Sequence, residues 1–260
     1  MKRKTLFNNF IKICEDNDQI CGLGNPDAYI LLIGQEHFAP GEVNWKAELL
    51  KNYAICRGYD SNTDFIKPKG DEDANGKLLR RNPTWCNYQK LLDLIYGRKS
   101  SQPNKLDFER YAFTTELNSI PKKSSKNTDK EEKQKVEKRV SDRLKLLRES
   151  EFINKSFPIV VLACGGYVKN QGEGDERQID ITFGVEYDGD EIGRYSKENR
   201  KEYSTGNWFY THHNKVDTKY FKAGEKLVIH TRQLSGAINE ELFEDMAVII
   251  REHLQTLGLL

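Results

Sequence analysis

The order of apolar and polar positions divides the chain into short strands and longer amphipathic helices. Four apolar runs stand out: Ala28–Ile33 (AYILLI), Tyr111–Thr114 (YAFT), Pro158–Ala163 (PIVVLA) and Leu227–Ile229 (LVI). Their apolar residues are consecutive rather than alternating, the pattern of parallel strands buried on both faces. Helical spacing fills the gaps. Asn44–Ile55 carries Trp45, Leu49 and Leu50, and Thr84–Tyr96 repeats Trp85, Tyr88, Leu91, Leu92 and Ile95 after the start signal Asn82-Pro83. Lys130–Arg148 aligns Val136, Val140, Leu144 and Leu147, and Glu240–Leu257 aligns Phe243, Met246, Ala247, Ile250 and Leu254. Strands alternating with helices predict one α/β domain over 1–260, a three-layer α/β/α sandwich around a mostly parallel four-stranded sheet. Asn170–Gly224 departs from this rhythm. It is rich in Gly, Tyr, Asp and Asn, with short alternating pieces at Ile179–Tyr187 and Trp208–Thr211. The pattern predicts a β-rich, hairpin-like insertion at about 170–224, between the third and fourth core strands.

Composition narrows the function classes. No apolar run approaches the roughly 18 residues that span a bilayer, and Asn8, Asn9 and Lys12 break any signal-peptide core, so a soluble, cytoplasmic protein is expected. Aromatic residues make up 10% of the chain, too many for a disordered one. The cysteines, Cys14, Cys21, Cys56, Cys86 and Cys164, contain no Cys-x-x-Cys pair, which argues for free thiols over a disulfide framework or a zinc ribbon. His212-His213 resembles a metal pair, but adjacent strand residues point to opposite faces, so no metal is expected. A formal net charge of +1 means that any grip on phosphate must be local. The segment Lys122–Arg148 concentrates basic residues, open to two readings: a solvated helix face or a phosphate-facing stripe.

Ligands of open α/β sheets collect at the carboxyl ends of the strands. Those ends carry unusual residues here. The first run is followed by Gly34-Gln35-Glu36-His37-Phe38-Ala39-Pro40-Gly41, and the second by Glu116-Leu117-Asn118-Ser119-Ile120-Pro121. The third leads into Cys164-Gly165-Gly166-Tyr167, and the fourth into His230-Thr231-Arg232-Gln233-Leu234-Ser235-Gly236. An acid, an amide, a glycine turn and a histidine are thus expected on one rim. Glu36, Asn118 and His230 would then share a cleft, within roughly 12 Å of one another.

The order of these fragments resembles the uracil-DNA glycosylase superfamily. That family has a Gly-Gln-Asp-Pro-Tyr-His loop before Pro-Gly, an Asn after the second strand, a glycine turn after the third, and a His-Pro-Ser-Pro-Leu-Ser loop after the last. The resemblance runs from about Ala28 to the C-terminal helix and leaves out the insertion. It implies that Gln35, Phe38 and Asn118 contact the base, Glu36 handles water, and His230 is the electrophile. It also implies that Leu234 fills the vacated base stack, with Ser235 beside it on DNA. Glu36 stands where the family has Asp, His37 where it has Pro, and Phe38 where it has Tyr. Thr231 and Arg232 replace the family's Pro and phosphate-gripping Ser.

The residues make chemical sense on their own terms. Breaking an N-glycosidic bond leaves an oxocarbenium-like sugar, which a carboxylate such as Glu36 stabilises. It also leaves an anionic base, which needs a donor such as His230. Asn118 has donors and an acceptor to read a pyrimidine edge, and Phe38 or Trp85 could stack the flipped base. Arg232 suits phosphate, joined by Lys122 and Lys123 at the same rim. The expected activity is excision of a flipped base from nucleic acid, DNA before RNA, with no metal or organic cofactor. Two alternatives stay open: a binding module that recognises a base or nucleotide without cleaving it, and a hydrolase of small nucleotides. The absence of His-x-Glu and Pro-Cys-x-x-Cys elements disfavours a zinc deaminase.

Overall fold

The computed structural model describes residues 3–38, 44–59, 83–98, 106–122, 130–170, 177–189, 201–203 and 206–260. The described helices are α1 (Arg3–Asp16), α2 (Trp45–Arg57), α3 (Pro83–Ile95), α4 (Lys130–Glu149), α5 (Glu151–Ser156), α6 (Gln178–Phe183) and α7 (Glu240–Thr256). The strands are β1 (Leu23–Gly24), β2 (Ile30–Phe38), β3 (Ala112–Lys122), β4 (Ile159–Ala163), β5 (Glu186–Tyr187), β6 (Lys201–Tyr203), β7 (Asn207–His213) and β8 (Leu227–Thr231). They form one mixed sheet in the order β1-β3-β2-β4-β8-β7-β5, with β6 paired to β7. The four expected strands are its parallel centre, β3-β2-β4-β8.

Consecutive apolar residues in these strands serve two cores. Leu31, Ile33, Phe113, Leu117, Val160, Leu162 and Val228 face α1, α2, α4, α5 and α6. Ile30, Leu32, Ala112, Ile159, Val161, Leu227 and Ile229 face α3 and α7. Full burial of each such aliphatic side chain contributes roughly 1.5–3 kcal/mol, so helices covering both faces follow from the strand sequences.

The sheet is larger than the four strands expected. The segment expected as a hairpin-like insertion does not stand apart; β7 pairs antiparallel with β8, and β5 and β6 pair with β7. The expected alternating piece Ile179–Tyr187 is also corrected. Its first part is α6, because Asn170 Oδ1 accepts the backbone N–H groups of Ile179 and Asp180 at 3.1 and 3.2 Å. Gly184, at φ 66°, then ends the helix in the left-handed region.

Two arginines fix the helices to the sheet. Arg143 of α4 is fully buried, so this basic position belongs neither to a solvated face nor to a phosphate-facing stripe. Its guanidinium donates to Ile20 O at 2.8 Å, Thr115 Oγ1 at 2.7 Å and Glu116 O at 3.1 Å, tying α4 to β3 and the end of α1. Arg3 donates to the carbonyls of Asp27, Ala28 and Ser156, tying α1 to the entrances of β2 and β4.

Candidate functional site

The motif residues sit at the carboxyl end of the parallel centre, but two strands reach further than their apolar runs suggest. β2 continues through Phe38 and β3 through Lys122, so Gly34–Phe38 and Glu116–Asn118 lie within strands rather than in loops. Glu36 is the register partner of Asn118, and the pairing shifts between Glu36 and Phe38. In-register neighbours on adjacent strands stand about 4.8 Å apart, so acid and amide share one rung. The side chains of Glu36, Phe38 and Lys122, and the whole of Lys123, lie outside the described residues.

A second group forms around the turn after β4. Gln35 Nε2 donates to Cys164 O at 2.7 Å, and His230 Nε2 donates to Gly165 O at 2.9 Å. Gly165 has φ 53°, and a methyl group there would stand 3.2 Å from Gln35 Nε2 and 3.8 Å from Gln233 N. The carboxyl ends of β2, β4 and β8 therefore meet at this glycine, whose left-handed backbone disfavours any larger residue. Arg232 follows β8 directly, half-buried, with no hydrogen-bond or ion-pair partner among the described residues.

His230 does not join Glu36 and Asn118 as expected. Its register partners lead through Leu162 to Ile33, three residues short of Glu36 and two strands away. Strand geometry puts its Cα about 14 Å from that of Glu36. The faces differ as well. Alternation with Val228 places His230 on the side of α4 and α6, whereas alternation with Leu117 places Asn118 on the side of α3. His230 is 2% exposed, and burial pushes its imidazole down to about 3, opposed by the Gly165 bond and aided by nearby His212. The ring is neutral, and its Nε2 proton is held by a backbone carbonyl. Its rings of contact are Trp208, edge-on at 5.1 Å, and Tyr210 at 6.4 Å.

Leu234 is also corrected. Expected as a wedge in nucleic acid, it is fully buried in the core beneath α3 and α7, because the loop after β8 folds back and Asn87 Nδ2 donates to Leu234 O at 3.3 Å. Ser235 beside it is half-buried. Trp85 packs against Phe108 at the edge of the same core.

His212 and His213 point apart, as adjacent strand residues must. His212 Nδ1 lies 2.9 Å from Asp180 Oδ1, and His213 Nδ1 lies 2.7 Å from Asp188 Oδ2. No group of three or more His, Cys, Asp or Glu side chains among the described residues is arranged to hold a metal ion. No described helix is long and apolar enough to cross a membrane. A cavity of about 400 Å³ opens at the opposite, amino-terminal end of the strands, where Arg3, Tyr29, Pro158 and Phe221 line it.

One rim residue was not foreseen as functional. Glu116 is the register partner of Gly34 and lies on the α3 side beside Asn118. Its signal in the sequence was an acid two residues before the asparagine, in a strand otherwise uncharged until Lys122. No protein-family model matches the chain, and no curated protein matches it.

Proposed function

We propose that the protein binds a nucleobase at the carboxyl-terminal rim of its parallel strands and hydrolyses the N-glycosidic bond of that base, held in nucleic acid. The observation that carries this reading is the pairing of Glu36 with Asn118 on one rung, beside a glycine turn fastened by Gln35. An amide that reads a base edge and a carboxylate that orients water and steadies the sugar cation are needed next to each other. The resemblance of the rim fragments to uracil-DNA glycosylases supports the same chemistry. In this reading His230 is a positioning residue. It fastens the Gly165 turn and leaves contact with the nucleic acid to Arg232. Carboxylate-assisted hydrolysis calls for no metal or organic cofactor.

The burial of His230 favours a second reading, in which the rim binds a base without cleaving it. A neutral imidazole whose proton is committed to Gly165 O does not stabilise a leaving base. One experiment separates the two. Oligonucleotides carrying uracil, hypoxanthine, xanthine, cytosine or guanine at one position are incubated with the protein, and alkaline scission reports abasic sites while fluorescence anisotropy reports binding. Scission supports the glycosylase, and binding alone supports the second reading. Loss of both would remove the nucleic-acid proposal.

A further inference from the structure

Thr115, Leu117 and Ser119 of β3 face α1 and α4: Thr115 meets Arg143, Leu117 lies in that core, and Ser119 donates to Gln19. Glu116 and Asn118 therefore share the opposite face, towards α3. The Glu116 carboxylate lies across the bare Cα of Gly34, where a methyl group would stand 2.3 Å from Oε2. The core on that same side holds Tyr88, in the second turn of α3 and 2% exposed. The Tyr88 hydroxyl is buried and has no hydrogen-bond partner among the described residues. Burial first, then the Glu116 charge, pushes this phenol up, so it stays an O–H donor. Buried hydroxyls are ordinarily paired, so one left open on the face that carries a carboxylate and an amide points to a ligand atom there. Trp85, three residues earlier on the same helix, adds a half-buried aromatic ring.

We propose that Glu116 contacts the bound base and selects one that carries an exocyclic amine. This rests on the base-binding reading above and names its substrate class. A carboxylate only accepts hydrogen bonds, whereas the amide of Asn118 both donates and accepts. Uracil flanks its single ring N–H with two carbonyl oxygens, and one of them would face the carboxylate. Cytosine differs from uracil by an amine in place of one carbonyl, and guanine differs from hypoxanthine by an added amine. In each pair the amine meets Glu116 as a donor, while Tyr88 O–H and the Asn118 amide serve the base's acceptors.

The test uses strands in which every position is an abasic analogue except one central base, read by fluorescence anisotropy. The expected result is preference for cytosine over uracil and for guanine over hypoxanthine, each by about tenfold. Glu116→Gln, whose amide can also donate, should bring both ratios close to one. Gly34→Ala should lower them as well, because its methyl group displaces the flexible end of Glu116 while leaving that residue in place. Thermal melts of both variants check folding, and Gly34→Ala decides the matter if Glu116→Gln does not fold. Ratios near one in the unmodified protein, with base-bearing strands still bound above the all-abasic strand, would overturn amine selection and leave base binding standing. Ratios unchanged in both variants would also overturn it. Equal binding of base-bearing and all-abasic strands would remove the base-binding reading, and this inference with it.

Discussion

His230 donates its Nε2 proton to the carbonyl oxygen of Gly165, 2.9 Å away, and so ties the end of β8 to the turn after β4. Because a carbonyl only accepts, the bond fixes the tautomer, and burial keeps the ring neutral down to about pH 3. A pH dependence follows from this. The unfolded chain protonates the same histidine near pH 6.5, so below that value it binds a proton that the folded chain refuses. Stability should fall as pH drops from about 6.5 towards 3, by about 2 kcal/mol between pH 7 and pH 5. Urea titrations at the two pH values measure it. His230→Gln can keep a donor to Gly165 O without the titration and should show less of the fall. Equal losses in both proteins would contradict the assignment.

Lys226 gives a second lever of the same sign in the alkaline range. It is 1% exposed, donates to Phe157 O at 2.5 Å and lies over the Phe221 ring, and burial pushes its amine down to about 7. Between pH 7 and its unfolded value of 10.5, the unfolded chain holds the extra proton, so stability rises with pH in that window. Lys226→Met should raise the unfolding free energy by about 2–3 kcal/mol at pH 7, after allowing for the unpaired Phe157 carbonyl. The gain should shrink towards pH 10. A destabilised variant at pH 7 would contradict this balance.

Leu234→Ala should cost about 2–5 kcal/mol of stability, because it opens a cavity in a closed core. Binding to oligonucleotides, measured well below the melting temperature, should not change. A side chain that entered a base stack would give the reverse pattern: little loss of stability and a clear loss of binding.

Arg232→Ala should weaken binding to nucleic acid and lower the salt slope by about one unit, the signature of one lost phosphate contact. Lys145 and Arg148 are the controls. They are exposed at the far end of α4, which runs back from the rim after β3, and their replacement should leave the slope nearly unchanged. Anisotropy titrations across a range of salt concentrations distinguish the two sites. If the helix pair mattered more, the rim would not be the binding surface.

If the protein excises bases, Glu36→Gln should slow single-turnover scission by about 10²-fold or more, since an amide neither takes a proton nor steadies a cation as a carboxylate does. An unchanged rate would remove Glu36 from the chemistry.

The parallel centre was legible in the sequence because burial on both faces leaves an unmistakable mark: four uninterrupted apolar runs. α1 was not legible, although Phe7, Phe10, Ile11 and Cys14 repeat at helical spacing, because Asn8, Asn9 and Lys12 between them interrupt the apolar run. α6 was misread because Ile179 and Ile181 alternate with polar residues, while the capping side chain, Asn170, lies eight residues before the helix. The site was only half legible. Strand order placed the rim, but the rung on which each residue sits depends on register, which no single strand encodes. Register set Glu36 beside Asn118 and left His230 three rungs behind, on the other face. Arg143 escaped notice for a related reason. It occupies the apolar side of α4 between Val140 and Leu144, yet its charge hid it among lysines.

The antiparallel addition of β7 also protects the protein from its own copies. Without it, Leu227–Thr231 would present a bare row of amides and carbonyls five residues long, a template for joining another molecule's sheet. With β7, β5 and β6 in place, the described sheet ends on two-residue strands, β1 on one side and β5 on the other, with the three-residue β6 also paired to β7. Ends that short give a foreign strand little to grip. Shortening the chain between β4 and β8 to obtain a simpler four-stranded protein should therefore yield aggregates rather than a smaller version of the same fold.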